Sequence, residues 1–128
     1  MGEVQVNKIG SPVVLQSEAP SAAVSVVFED DGDTGYFYAL APGAEALELL
    51  DALHVYNAEA DLRGTDCRLE LLWSADGMKA GLRLNAALWA VFDFEQRKGW
   101  CRSEFPPPQG RWQGGEREPW NSALLNQF

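Results

Sequence analysis

Through much of the chain apolar and polar residues alternate with a period of two, the pattern of a strand whose successive side chains point to opposite faces. Between Ala22 and Glu29, Val24, Val26 and Phe28 point one way, while Ser25, Val27 and Glu29 point the other. Asp30-Asp31-Gly32-Asp33-Thr34-Gly35 supplies short polar side chains and glycines suited to a tight turn. Tyr36-Phe37-Tyr38-Ala39-Leu40 then resumes the strand character, so the two segments predict a β-hairpin with an acidic tip. The second half repeats the alternation. Cys67, Leu69, Leu71 and Trp73 share a face, as do Ala80, Leu82 and Leu84, and then Leu88, Ala90, Phe92 and Phe94. The links Ala75–Met78 and Asn85–Ala87 are too short for parallel crossovers, and an antiparallel meander follows. Trp100–Phe105 offers a fourth strand, stopped by Pro106-Pro107-Pro108.

One stretch reads differently. In Ala44–His54 a spacing of about 100° per residue gathers Ala46, Leu47, Leu49, Leu50 and Leu53 on one face and Glu45, Glu48 and Asp51 on the other. With Pro42 near its start, this pattern predicts an amphipathic helix. A last helical turn is expected at Trp120–Leu125, docking Leu124 and Phe128. The expected fold class is therefore α+β, an antiparallel β-sheet meander packed against one principal helix, with a short C-terminal helix. A chain of 128 residues fits one domain, 1–128. Residues 1–20, where Pro12 and Pro20 bracket a candidate edge strand at Val13-Val14-Leu15, and the Gly- and Pro-rich residues 106–128 are expected to be less regular.

Charge narrows the function classes. The formal net charge is −9, a field that repels phosphate backbones, and no basic stripe interleaved with aromatics opposes it. Nucleic acid is excluded as a partner, whereas a basic protein fits. The N-terminal segment lacks a basic stretch followed by an apolar run, and nothing approaches the roughly 20 apolar residues that span a bilayer. A cytoplasmic location with no membrane association is expected. Cys67 and Cys101 lack CxxC spacing and sit in apolar segments, so they read as buried free thiols.

Candidate chemistry is sparse. The oxygens of Glu29–Thr34 resemble a calcium loop only in composition, because the EF-hand spacing is absent. Asp30, Asp31 and Asp33 read instead as a polar turn or as a contact surface for a partner. With a single histidine, a His-rich zinc site cannot form, and phosphate-cradling glycine motifs are missing, so no metal or cofactor is expected. His54 lies at the boundary of the predicted apolar face. Asp93 stands in an apolar strand, where a carboxylate must face solvent, accept hydrogen bonds or pair with Arg97 or Arg102. Together with Arg97, and with Cys101 nearby, these residues define a possible pocket. Trp100 and Trp112, in or beside the aperiodic C-terminal region, either cover the core or anchor an interface.

Several segments carry a resemblance. Val27–Ala39 (VFEDDGDTGYFYA), Asp51–Asn57 (DALHVYN), Trp73–Gly77 (WSADG), Ala90–Phe94 (AVFDF) and Gly99–Arg102 (GWCR) resemble a family of small bacterial proteins classed as a domain of unknown function. The similarity covers about Val24 to Phe105 and carries over no catalytic residue or cofactor. Trp89 stands where the resemblance implies His, which argues against histidine chemistry at that position. In size and charge the chain is also similar to immunity proteins, which neutralise a partner toxin. The leading expectation is a non-catalytic protein-interaction domain, with an enzyme or small-ligand binder built on His54, Asp93 and Arg97 as the second and a self-associating structural domain as the third.

Overall fold

Alternation is realised as nine strands, all paired antiparallel, in the computed structural model, which describes residues 4–21 and 23–128. They are β1 (Val4–Lys8), β2 (Val13–Glu18), β3 (Ser25–Asp30), β4 (Thr34–Pro42), β5 (Leu47–Asn57), β6 (Asp66–Trp73), β7 (Lys79–Leu84), β8 (Ala87–Asp93) and β9 (Lys98–Cys101). Sheet A runs β1-β6-β7-β8-β9 and sheet B runs β2-β3-β4-β5. Their inner faces pack together: the Phe37 and Phe92 rings lie 4.9 Å apart, and the Trp73 indole on sheet A donates to Ser17 Oγ on sheet B at 2.9 Å. Val26, Phe28, Phe37 and Leu53 from sheet B meet Leu69, Leu71, Leu82 and Phe92 from sheet A, all fully buried. Each contributes about 1.5–3 kcal/mol by leaving water.

The hairpin β3–β4 and the antiparallel meander form as the alternation predicts, with two corrections: the last strand is Lys98–Cys101 rather than Trp100–Phe105, and a bulge at Trp89 turns Leu88 away from Ala90 and Phe92 to the outer face beside Val91. The C-terminal helical turn is also present, as a 3-10 helix at Ser122–Gln127 in which Asn121 Oδ1 accepts from Ala123 N. A second 3-10 turn spans Gly110–Trp112. Residues 1–20, expected to be less regular, contribute β1 and β2, the edge strands of the two sheets.

The principal helix is corrected: Ala44–His54 does not form one, and most of it lies in β5. Register slips opposite Gly35/Tyr36 and Ala39/Leu40 leave Val55 and Leu50 unpaired, so β5 carries two bulges. A bulge adds a residue to one strand and re-aims those that follow. The buried residues Leu50, Leu53 and Tyr56 consequently recur at every third position, the spacing of a helix face. Asp51, which the helical pattern assigns to solvent, is completely buried.

That carboxylate closes the sandwich. β5 and β9 are edge strands on the same side of the molecule, and Arg117 from the C-terminal tail lies between them. Its guanidinium donates to both carboxylate oxygens of Asp51, at 2.6 and 2.9 Å, and to the carbonyls of Ala52 on β5, Gly99 on β9 and Pro106. Asp51 Oδ1 also accepts from the backbone N–H groups of Ala52 and Gln109. Every guanidinium N–H is thereby matched, which a buried ion pair requires if attraction is to offset desolvation.

Candidate functional site

The outer faces of the two sheets are treated unequally. On sheet A, Leu88, Val91 and Trp100 form a second apolar cluster beneath Trp120, Leu124 and Phe128 of the tail. Gly81 makes this approach possible, because a Cβ there would meet the Phe128 ring at 2.9 Å. Arg102 reinforces the cover, with its guanidinium 5.6 Å from the Trp89 ring and 5.1 Å from the Trp120 ring.

Sheet B presents a row of rings outward instead. Tyr38 stacks on Tyr36 at 5.9 Å, Tyr36 meets His54 edge-on at 5.6 Å, and His54 meets Phe105 edge-on at 6.1 Å. Neither apolar cluster of the described residues includes these four. Tyr36, Tyr38 and His54 are half-buried, and Phe105 is 54% exposed. Tyrosine combines large apolar area with a polar tip, the composition favoured where a partner docks.

The electrostatics reinforce the asymmetry. Between Lys8 and Arg63 the chain contains ten Asp and Glu and no Lys or Arg, so none of the strands of sheet B carries a positive side chain. Glu29 lies opposite both Val14 and Tyr36 in the ladder. Partial burial, then the charge of Glu29, pushes the Tyr38 hydroxyl above its ordinary pKa. His54 Nε2 lies 3.0 Å from Asn57 Oδ1, and Nδ1 is buried without a hydrogen-bond partner among the described residues.

The residues singled out in the sequence are dispersed. Asp30 is buried and accepts from Gly10 N, Gly32 N and the Tyr56 hydroxyl, so it is removed from any acidic rim. Gly35 leaves room for this bond, since a Cβ there would strike the Tyr56 ring at 2.8 Å. Burial, followed by the bond to Asp30, raises the Tyr56 pKa strongly. Asp31 caps its own turn, and the Thr34 and Asp33 N–H groups hold its carboxyl below the ordinary range. Asp33 is exposed and lies 3.8 Å from Arg63. Trp100 forms the floor beneath the tail, and Trp112 packs edge-on against Phe92 and Phe94, so both cover the sandwich rather than project from it.

His54, Asp93 and Arg97 do not share a cleft. His54 belongs to the aromatic row, Asp93 lines a groove under the tail with Lys79 and Trp100, and Arg97 lines separate hollows beside Trp112. Asp93 is satisfied by the N–H groups of Glu95 and Gln96 and by Lys79 at 4.0 Å, not by Arg97 or Arg102. Cys67 and Cys101 are buried and unbridged, and burial pushes the Cys67 thiol up to about 11. Among the described residues no group of three or more His, Cys, Asp or Glu is placed to hold a metal ion. No helix among them is long and apolar enough to cross a membrane.

Two signals escaped the periodicity argument. Tyr36 and Tyr38, two residues apart with Phe37 between them, had to share a face opposite the core. The gap in positive charge from residue 9 to residue 62 is equally readable, once charge is counted by segment rather than over the chain.

A Haemophilus influenzae protein described as an uncharacterized protein is 42% identical over 85 residues, covering 66% of this chain and 53% of that relative. The chain thus spans about half the length of the curated relative it matches. No solved structure matches it. Residues 7–128 fit the pattern of a family described as uncharacterized protein conserved in bacteria (DUF2251). That span takes in nearly all the sandwich and the whole C-terminal tail, and the chain belongs to this bacterial family.

Proposed function

We propose that this chain is a non-catalytic protein-interaction domain that holds a basic protein partner on the outer face of sheet B. The carrying observation is the coincidence of the Tyr38–Tyr36–His54–Phe105 row with a segment of the chain that has ten acids and no base. Rings facing solvent offer contact area and cation–π attraction, while the acidic field accelerates encounter with a positive partner. Stoichiometric masking, as immunity proteins mask toxins, is the mode such a surface serves. Self-association through this face is disfavoured, because two copies would bring like fields together.

Cross-linking in native bacterial cytosol, followed by purification of the captured partner, tests the proposal. We expect a 1:1 complex whose association rate falls steeply with salt. Tyr36→Ala combined with Tyr38→Ala should weaken it at least ten-fold while leaving the fold intact by amide NMR. A stoichiometric complex indifferent to those substitutions and to salt would overturn the assignment.

A further inference from the structure

The aromatic row of sheet B passes through His54, and Asn57, whose side chain contacts that ring, also lines a neighbouring cleft of about 320 Å³. Its lining includes Trp89 as the partly exposed aromatic, Leu62 as the exposed aliphatic and Glu59 and Asp61 as carboxylates, with the buried Val55 and Tyr56 of β5 forming its floor. Neither carboxylate forms an ion pair among the described residues. Arg63, the base nearest in sequence, is engaged elsewhere: it donates to the carbonyls of Gly32 and Ala58 and faces Asp33.

Trp89 owes its position to a bulge. Leu82 pairs with Ala90 and Arg83 with Leu88, which leaves Trp89 as the extra residue of β8, its indole beside β5. The guanidinium of Arg102, 5.6 Å from the ring centroid, shows that this indole already supports one cation–π contact. An incoming cation would therefore meet an aromatic wall together with two carboxylates that have no other ion-pair partner among the described residues.

We propose, resting on the sheet B reading above, that this cleft anchors an arginine side chain of the basic partner. Its aliphatic stem lies along Leu62, and its guanidinium meets Glu59 and Asp61 while stacking toward Trp89. Arginine fits better than lysine because a planar guanidinium can stack on a ring and donate to two carboxylates at once, whereas an ammonium acts as a compact, strongly hydrated point charge. A purely apolar occupant would strand both carboxylates without water or a counter-ion.

The test is an amide and indole NMR titration of the full chain with N-acetyl-arginine amide. Its uncharged near-isostere, N-acetyl-citrulline amide, serves as the comparison, and Trp89→Phe identifies the Trp89 indole signal. We expect millimolar binding that shifts the Trp89 indole and the 57–62 amides, at least five-fold weaker both for the citrulline probe and for Glu59→Gln combined with Asp61→Asn. Unchanged amide dispersion would certify the fold of that variant. Equal response to citrulline, or no response at Trp89, would overturn the anchor. An arginine-rich peptide separates the two proposals. Shifts at Tyr36, Tyr38 and His54 with a silent cleft sink the anchor alone, whereas shifts in the cleft with a silent row support the anchor and sink the sheet B surface.

Discussion

Sheets A and B are built by the same rule of alternation, yet their outer faces end differently. The strands of sheet A carry Lys8, Arg68, Lys79, Arg83 and Lys98, and the chain's own tail lies over Leu88, Val91 and Trp100. Sheet B carries no base, and its outward rings have no such apolar cover among the described residues. A chain this acidic cannot neutralise both faces with ten bases against nineteen acids. Bases from outside sheet B meet three of the ten acids between Lys8 and Arg63, Arg63 at Asp33, Arg111 at Glu48 and Arg117 at Asp51, while the sheet's own strands supply none. The comparison separates two placements of an aromatic residue: Trp100 and Trp120 pack into an apolar cluster, and Tyr36 and Tyr38 stack outward without one among the described residues.

The largest effect should come from the residue that ties the tail across the seam. Arg117→Met leaves Asp51 buried and uncompensated, at a cost of about 3–5 kcal/mol, measurable by urea denaturation. Adding Asp51→Leu should recover much of that loss. If Arg117→Met instead costs less than about 1 kcal/mol on the same scale, the clamp does not hold the sheets together.

The two faces can then be compared directly. Phe128→Ala, on the covered face, should cost about 1–3 kcal/mol, less than a fully buried phenylalanine because the ring is half-exposed. Tyr36→Ala, on the open face, should stay within about 1 kcal/mol while weakening partner binding, less than the double variant with Tyr38→Ala does. Equal destabilisation by the two would erase the distinction between cover and platform.

Alkaline pH tests the interior that both sheets share. Burial raises the folded Cys67 thiol to about 11 from an ordinary value of 9.0. The unfolded thiol ionises above pH 9 while the folded one does not, so the stabilisation is complete below pH 9 and is lost as the pH rises through 11. Tyr56, likewise raised from 10.0 by burial and then by its bond to Asp30, extends the loss above pH 10. We expect urea midpoints to fall over this range, with Cys67→Val reducing the fall by roughly 1–2 kcal/mol. A profile unchanged by Cys67→Val would show that the thiol does not stay protonated in the core.

The smallest effect is ionic. The Lys98 partner holds the Glu118 carboxyl below its ordinary range, but the pair is about half exposed. Its stabilisation is present above the ordinary carboxylate range and is lost as the pH falls through the depressed value. Glu118→Gln should therefore cost only about 0–1 kcal/mol at neutral pH, an effect that 1 M salt should erase. Because glutamine can still accept from the Trp100 indole, a larger, salt-resistant loss would mean that the charge pair itself fastens the tail to sheet A as a desolvated ion pair.

Local alternation by itself determined the strands β6, β7 and β8, the β3–β4 hairpin with its turn residues, and the burial of Phe28, Leu69, Leu82 and Phe92, because the face of a strand residue follows from its neighbours wherever no bulge intervenes, as one does at Trp89. The sequence also held two signals that the periodicity argument passed over, the outward placement of Tyr36 and Tyr38 and the gap in positive charge from residue 9 to residue 62. The strand character of Leu47–Asn57 was decided by tertiary structure, since two bulges imposed by pairing with β4 imitate the spacing of a helix. Distance in sequence hid the rest. Asp51 and Arg117 are 66 residues apart, and no local pattern marks either as a partner until both sheets and the tail are in place. The separation of His54 from Asp93 and Arg97, and the meeting of Trp89 with Glu59 and Asp61, likewise depend on how strands of different sheets face one another, a relation that periodicity along one strand does not contain.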